Sequence, residues 1–451
     1  PVVYAEGITE RKAAIMARAA KALLSLDTPE VVHLNDWHSV PFGLAAREVV
    51  EDRGGDLSLV LQIHLYLGKR VDWNYLFEEC GLDPHHRTRV LDGAKRRLTY
   101  SDVYREAGGV LEVMGAVVSE RVFTVSESYL KRDENCLLSA IGWRFERKAT
   151  YVHNATDWTL EGLYSQVEAY HADRLEALYG TTRPGRRVLR EYLLTRALAS
   201  MPEALVEDLE LRELVAGLKG AIGSGLKPSP LPSDGPLIIT TGRASRQKGF
   251  DVLLRAVPRV LSVVPTARFL LLLLPIRWEE EYLKELFREA CKYPENVRVV
   301  LGKAPSIYAL AHVAANAFAA PSRWEPFGLM AIEAMAAGVP VAASRVGGLR
   351  ESVIDLRSAP SSGTGFLVPP GDAEELARAL VTLLAITGRE ELAESGLLER
   401  AIEYGFDVPL IGGEELRARC IRRVDEEFRW SRVVNRLLEI YEESVKASHG
   451  G

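Results

Sequence analysis

Apolar runs of strand length alternate with stretches of helical period along the first third of the chain. Residues 11–26 repeat apolar positions at helical spacing, and residues 30–34 (EVVHL) then read as a strand. Further strand-like runs occupy residues 58–65, 122–125 and 150–153. Short strands separated by helices need crossover connections, so this pattern predicts a parallel sheet covered by helices. Residues 158–220 keep a helical period without a strand signal, and Pro184-Gly185 punctuates them. Residues 225–236 (GLKPSPLPSDGP) hold four prolines and two glycines in twelve positions, which no helix tolerates, and read as an interdomain linker. A fresh alternation follows: strand 237–241, helix 249–264, strand 267–274, helix 279–292, then strands at 296–301, 317–321 and 339–343. The expected architecture is α/β. It has a first domain over 1–157, a helix-rich insertion over 158–224, a linker over 225–236, a second α/β domain over 237–429, and a terminal helix from 430. Ligand is expected in the cleft, outside the carboxyl ends of the strands. No repeat of solenoid period interrupts this reading.

Composition narrows the function classes. The 451 residues are 47% hydrophobic and 26% charged, ordinary for a globular protein, and are long enough for two or three cores. A net charge of −6 argues against a protein that grips nucleic-acid phosphates. No run has the length and apolarity of a membrane span, and no signal peptide opens the chain, so a cytoplasmic protein without membrane partners is expected. Cys80, Cys136, Cys291 and Cys420 stand far apart, with no metal-ligand spacing, and read as buried thiols. Only 7 Asn and 3 Gln beside many Arg and Glu fit a protein from a hot environment, an expectation that a melting midpoint in the mesophile range would contradict. The chain opens at Pro1 without Met and enters a helical pattern almost at once, so residues upstream are expected to be missing.

The densest chemical signal is residues 321–340 (PSRWEPFGLMAIEAMAAGVP). A strand ends, a glycine-containing turn follows, and good helix formers begin at Leu329. The free N–H groups around Gly328, Leu329 and Met330 make an anion site. Glu325 precedes the helix at the strand's carboxyl end, where its side chain can face a reacting sugar. Glu333 lies further along the helix, placed to accept hydrogen bonds from ribose hydroxyls. The plainer alternative makes Glu325 a partner of the helix dipole and Glu333 part of a solvated face. On the loop leaving the second domain's first strand (GRASRQKG), Arg243 and Lys248 can converge on one diphosphate and stabilise charge on a leaving nucleotide. After the next strand, Gly347 and Gly348 let backbone approach closely, with Leu349 following. In the first domain, residues 32–38 (VHLNDWH) run from a strand into a turn crowded with Asn35, Asp36 and His38. A metal reading of His33 and His38 lacks a third ligand. Asn154 follows the strand at Val152, His64 lies within the run from Leu61 to Leu65, and either fits a satisfied core polar group.

With these residues in view, the chain resembles the glycogen and starch synthases. The pieces HLNDWH, FTVSESY, GRASRQKG, SRWEPFGLMAIEAMAAGVPV, GGLRES, GFLVPPGD and FRWSRVVNRLLEIYE occur in family order from His33 to Tyr441. The resemblance implies a retaining transferase of the GT-B type, with two Rossmann-like domains facing a cleft and the terminal helix crossing back to the first. It implies ADP- or UDP-glucose as donor, an α-1,4-glucan as acceptor, and no metal or other cofactor. His38 would hydrogen-bond the transferring glucose with Asn154 nearby, and Arg243 and Lys248 would hold the diphosphate. Glu325 would contact the glucose near its reacting carbon, the backbone of Leu329 and Met330 would bind phosphate, and Gly347, Gly348 and Leu349 would line the sugar site.

Two departures qualify the resemblance. The family's K-x-G-G-L phosphate loop has no match upstream of His33, while Ala107-Gly108-Gly109 is misplaced and lacks the lysine. The expectation is a truncated first domain, whose missing segment a homo-oligomer or partner would supply. Glu333 follows the broader E-x7-E pattern of retaining transferases, which leaves the choice of ADP or UDP open. Two alternatives stand beside the synthase reading. One is a related transferase acting on a small-molecule, lipid or protein acceptor; the other is a non-catalytic glucan-binding or regulatory homologue.

Overall fold

A computed structural model describes residues 8–24, 27–91, 95–409 and 411–449. It divides into two compact units, residues 1–154 with 431–451, and residues 155–430.

The first unit begins with α1 (Ile8–Leu23), β1 (Val31–Asn35), α2 (Val40–Asp52) and β2 (Ser58–Ile63). The hairpin β3 (Arg87–Leu91) and β4 (Lys95–Thr99) follows, then α3 (Tyr100–Glu106), α4 (Leu111–Val118), β5 (Arg121–Thr124), α5 (Leu137–Ile141) and β6 (Ala149–Tyr151). Its four-stranded sheet has the order β1-β2-β5-β6, and every pairing is parallel. Parallel strands covered on both faces read as continuous apolar runs, and five of the six β2 residues are buried. The hairpin carries Arg87, Arg89, Arg96 and Arg97, and that charge hid it from a hydrophobicity reading.

The second unit opens with α6 (Leu160–Tyr179), α7 (Arg186–Tyr192), α8 (Leu198–Ser200), α9 (Leu209–Gly217) and a minimal hairpin, β7 (Lys219–Gly220) with β8 (Gly223–Ser224). The α/β alternation then runs β9 (Leu237–Arg243), α10 (Phe250–Val263), β10 (Arg268–Leu274), α11 (Glu280–Ala290), β11 (Val297–Leu301), α12 (Pro305–Ala314) and β12 (Ala317–Ala320). It continues through α13 (Leu329–Ala336), β13 (Val341–Ser344), α14 (Leu349–Ser352) and β14 (Gly365–Val368). Helices α15 (Ala373–Thr387), α16 (Arg389–Glu394), α17 (Leu398–Tyr404) and α18 (Gly413–Glu427) complete the unit. The six-stranded sheet is parallel throughout, in the order β11-β10-β9-β12-β13-β14. The chain builds outward from β9 to β11, then returns to add β12 on β9's other side. That reversal opens a crevice at the carboxyl ends of β9 and β12, where doubly wound sheets take ligands.

Two boundaries differ from the sequence reading. Residues 158–224 are not a separate insertion: α6 to α9 and the hairpin belong to the second unit, and His171 on α6 bonds the Ser306 carbonyl at the start of α12 at 2.7 Å. Residues 225–236 are not an interdomain linker. Leu226 and Leu231 are buried, and Arg298 on β11 donates to the carbonyls of Ser229 and Pro230 at 2.6 Å each. The prolines fix an extended course along the sheet edge, and the same residue types would serve a free hinge, so composition alone misplaced the boundary.

The terminal helix α19 (Trp430–His449) joins the first unit almost entire. The Tyr441 hydroxyl meets His33 Nδ1 at 2.9 Å, Arg121 pairs with Glu443 at 3.2 Å, and Arg89 donates to the Ser448 carbonyl at 2.7 Å. Cys80, Cys136 and Cys420 are buried, Cys291 is half-buried, and none forms a disulfide.

Candidate active site

In the second unit, β9 ends at Arg243, and the loop behind it turns through a short 3-10 segment, Arg246–Lys248, into α10. Gly249 closes that turn with φ at 68°, in the left-handed region, and a Cβ there would lie 2.0 Å from the Pro321 carbonyl oxygen. The loop can therefore lie directly on the end of β12. It is also tied to the next loop. Arg323 N–H donates to the Gln247 carbonyl at 2.7 Å, Gln247 Nε2 donates to the Trp324 carbonyl at 2.9 Å, and Arg323 clasps Asp251 through two bonds of 2.8 and 2.6 Å.

This stitching brings Lys248 to Glu325. Lys248 Nζ lies 2.5 Å from Glu325 Oε2, with both side chains about nine-tenths buried at 12% and 8% exposure. Ser322 Oγ donates to the same carboxylate oxygen at 3.3 Å, and the Met330 sulfur is 3.9 Å from Nζ. Seventy-seven positions separate the two residues in the chain. Arg243 stands at the carboxyl end of the adjacent strand, exposed, and its guanidinium has no partner among the described residues. A paired and an unpaired cation thus share the sheet edge that carries Glu325.

Helix α13 starts at Leu329 behind Gly328, with no side-chain cap. Among the described residues the N–H groups of Leu329 and Met330 have no partner, and they leave partial positive charge beside Lys248. Gly347, Gly348 and Leu349 are buried against this turn. A Cβ at Gly348 would meet the Phe327 Cα at 2.4 Å, and the Gly348 N–H donates to the Glu325 carbonyl at 3.1 Å. The Leu349 side chain packs under Gly328. These three residues hold the Glu325 turn from behind, and the N–H of Gly348 is already engaged.

A cavity of about 730 Å³ opens at the same strand ends. Thr241, Gly242, Leu272, Leu274, Tyr308 and Met330 give it a largely apolar wall, Glu333 supplies a carboxylate, and Gln166 and Tyr170 of α6 close one side. Burial pushes the Glu333 carboxyl above its ordinary value, and the positive charge of Lys248 pulls against that. Tyr308 and the α6 side chains escaped the sequence reading. Tyr308 sits at helical spacing among apolar residues, and Tyr170 faces the cavity only because α6 packs on α12.

The first unit carries His38 and Asn154. His38 lies on the 3-10 turn Trp37–Ser39 after β1, and burial lowers its pKa while Asp36 raises it. Asn154 follows β6. Both leave the carboxyl edge of the sheet, but from the two edge strands of four, roughly 14 Å apart by strand spacing. Asp36, with φ at 55°, is the one non-glycine residue with positive φ among the described residues, a strain that a hydrophobicity pattern cannot announce. Among the described residues no group of three or more His, Cys, Asp or Glu is placed to hold a metal ion, and no helix is long and apolar enough to cross a membrane.

The family model of the starch synthase catalytic domain matches residues 3–134, and that of the glycosyl transferases group 1 matches residues 226–404. A glycogen synthase of Lactococcus lactis is 25% identical over 92% of this chain and 73% of its own length. One of Halorhodospira halophila is 33% identical over 79% of this chain and 64% of its own. A third, of Alkalilimnicola ehrlichii, is 36% identical over 32% of this chain, which spans only 29% of that relative. The catalytic domain of starch synthase IV of Arabidopsis thaliana, solved with ADP and acarbose, superposes with a TM-score of 0.63 at 20% identity, over 98% of this chain and 79% of that one. That likeness shows the GT-B fold. Two family models in succession, each on its own unit, and similarity to glycogen synthases over most of the chain make it a glycosyltransferase similar to the glycogen and starch synthases.

Proposed function

We propose that the chain transfers glucose, with retention of anomeric configuration, from ADP- or UDP-glucose to the non-reducing end of an α-1,4-glucan. The observation that carries this reading is the Lys248–Glu325 pair at the switch point of the sheet, beside an unpartnered helix start and a cavity of nucleoside size. In this reading the nucleoside lies against Tyr308 and Met330, its ribose hydroxyls donate to Glu333, and its diphosphate meets Arg243, Lys248 and the N–H groups of Leu329 and Met330. The bond from the glucose anomeric carbon to the diphosphate breaks, and its electron pair leaves with the nucleotide. The acceptor's 4-hydroxyl oxygen forms the new bond from the same face, and its proton passes to the departing phosphate. Cations and helix N–H groups stabilise the developing charge, with no metal or other cofactor required. Glu325 would steady positive charge at the anomeric carbon, and His38 and Asn154 would hydrogen-bond the sugar.

Labelled glucose from each nucleotide, offered to maltoheptaose, to glycogen and to small-molecule, lipid and protein acceptors in parallel, tests the reading. Incorporation into glucan is expected. Intact donor binding with no transfer to any acceptor would favour the non-catalytic alternative, and transfer only to another acceptor would favour the related-transferase one.

Glu333→Ala is expected to raise the donor KM by about tenfold with little change in kcat, the sign of lost uniform binding. A purely catalytic defect would refute the ribose role. Protonation removes acceptor capacity from the carboxyl, and burial raises its pKa. Donor affinity should therefore be lost on acidification, beginning above the ordinary carboxylate range. A KM that stays flat down to that range would contradict the assignment.

A further inference from the structure

The chain enters the second unit at Ala155 and leaves it at Trp430, and the two stretches are bonded together just inside those points. Thr156 N–H donates to the Phe428 carbonyl at 2.9 Å. Arg429, clasped by Asp425 at 2.8 and 2.6 Å, donates to the Thr156 carbonyl at 3.2 Å and to the Trp158 carbonyl. The Trp158 N–H donates to Thr156 Oγ1 at 3.1 Å. The backbone of Trp158 is thus held at both its N–H and its carbonyl. Its half-buried indole meets two rings of α12. It stands edge-on to Tyr308, with centroids 5.5 Å apart and planes at 87°, and edge-on to His312 at 5.0 Å and 80°. Those two rings, one helical turn apart, lie 4.8 Å from each other, and His312 Nδ1 donates to the Tyr308 carbonyl at 2.8 Å. His312 is wholly buried, which lowers its pKa to about 4, and its Nε2 has no partner among the described residues. The neutral imidazole therefore contributes by ring contact. Of the three rings only Tyr308 lines the cavity of about 730 Å³, and its hydroxyl is engaged by the Thr241 side chain on β9. A phenol ring pinned at its hydroxyl can still turn about its long axis. Trp158 and His312 block that turn, and the turn decides whether the ring offers its face or its edge to a ligand.

We propose that Trp158 is a positioning residue for the nucleotide: through Tyr308 it fixes the plane against which the base lies, so that affinity for the nucleoside is set in part from the stretch where the chain enters the second unit. The proposal rests on the donor-site reading above and adds to it a residue that touches no substrate. Its consequence is selective. Tyr308 meets the base, whereas the diphosphate meets Arg243, Lys248 and the N–H groups of Leu329 and Met330. Removing Trp158 should therefore weaken only ligands that carry a base. A residue that merely held the unit together would weaken binding with and without the base alike.

The test is calorimetric titration of the full chain with ADP, UDP and pyrophosphate, in wild type and variants. Trp158→Ala should weaken the preferred nucleotide about fivefold and leave pyrophosphate within about twofold, the scale of one aromatic contact. Trp158→Phe keeps an aromatic edge and should recover most of the loss, which keeps the test open if the first variant folds poorly. Tyr308→Ala should weaken the nucleotide by about tenfold or more, the scale of one lost base stack. Because Trp158 acts through Tyr308, the double variant should bind no worse than Tyr308→Ala alone. Asn296→Ala serves as the stability control. It removes two bonds of 2.9 Å to the carbonyls of Pro265 and Ala267, at the strand ends opposite the cavity, and should lower the melting temperature with nucleotide affinity unchanged. Equal losses for nucleotide and pyrophosphate in Trp158→Ala would overturn the proposal, as would additive losses in the double variant. If wild type binds neither nucleotide, the donor-site reading and the proposal fall together. If glucose transfer fails while the nucleotide affinities follow the expected ranking, the synthase reading falls and the role of Trp158 stands. If transfer proceeds and Trp158→Ala binds nucleotide as wild type does, that role alone falls.

Discussion

Lys248→Ala is expected to lower glucose transfer by on the order of a hundredfold or more, with the protein still folded, the scale of one lost transition-state contact. Lys248 is held on three sides, by the Glu325 carboxylate at 2.5 Å, by Met330, and by the loop that Gln247 and Arg323 fasten to the end of β12. An ammonium fixed in this way does not have to reorganise as charge builds on the leaving diphosphate, and this is where electrostatic catalysis draws its strength. Removing it also leaves Glu325 with a buried negative charge and little more than the Ser322 hydroxyl to meet it. Glu325→Ala is expected to cost a similar factor. Because the two groups act as a unit, the double variant should lose far less than the product of the single losses. Steady-state kinetics on the three proteins, with melting curves as the folding control, decide the matter. Unchanged turnover in a folded Lys248→Ala protein would remove the residue from the mechanism, and strictly multiplicative losses would deny that the pair acts together.

Glu120→Ala should destabilise the first unit by about 3–5 kcal/mol, the usual cost of stranding one member of a buried ion pair. Arg47 and Glu120 are both 0% exposed and pair at 2.5 Å. Glu120 also accepts from the Leu59 N–H at 2.7 Å and from Arg89 at 3.2 Å, while Arg47 donates to the carbonyls of Val118 and Leu57 at 2.5 and 2.8 Å. The pair thus fastens α2 to the start of β2 and the turn before β5, which the Glu120 N–H already joins by donating to the Leu59 carbonyl at 2.8 Å. With Glu120 gone, Arg47 keeps its charge in a place that water does not reach. Replacing both residues with apolar ones of similar volume should cost much less, because no charge is then stranded. Denaturant unfolding of the single and double variants measures the difference. A loss under about 1 kcal/mol for Glu120→Ala would mean that relaxation or water had reached the guanidinium.

The fold class was legible from local signals. Runs such as Phe269 to Leu273 are apolar on both faces because β10 is covered on both sides, and a helix must lie between parallel neighbours. The loop residues Arg243, Lys248 and Glu325 were legible for the same reason: each follows a strand whose carboxyl end a parallel sheet sends to one edge. Sequence determined which residues reach that edge. It did not determine partners, because a pairing such as Lys248 with Glu325 depends on β12 returning to lie beside β9, a choice of strand order that no local pattern encodes. The prolines of 225–236 specify an extended backbone, and only packing against Arg298 made that stretch part of a unit. Likewise Glu112 in an otherwise apolar helix is an anomaly in sequence. It acquires a purpose only when tertiary structure brings the N–H groups of a loop more than forty residues away onto its carboxylate.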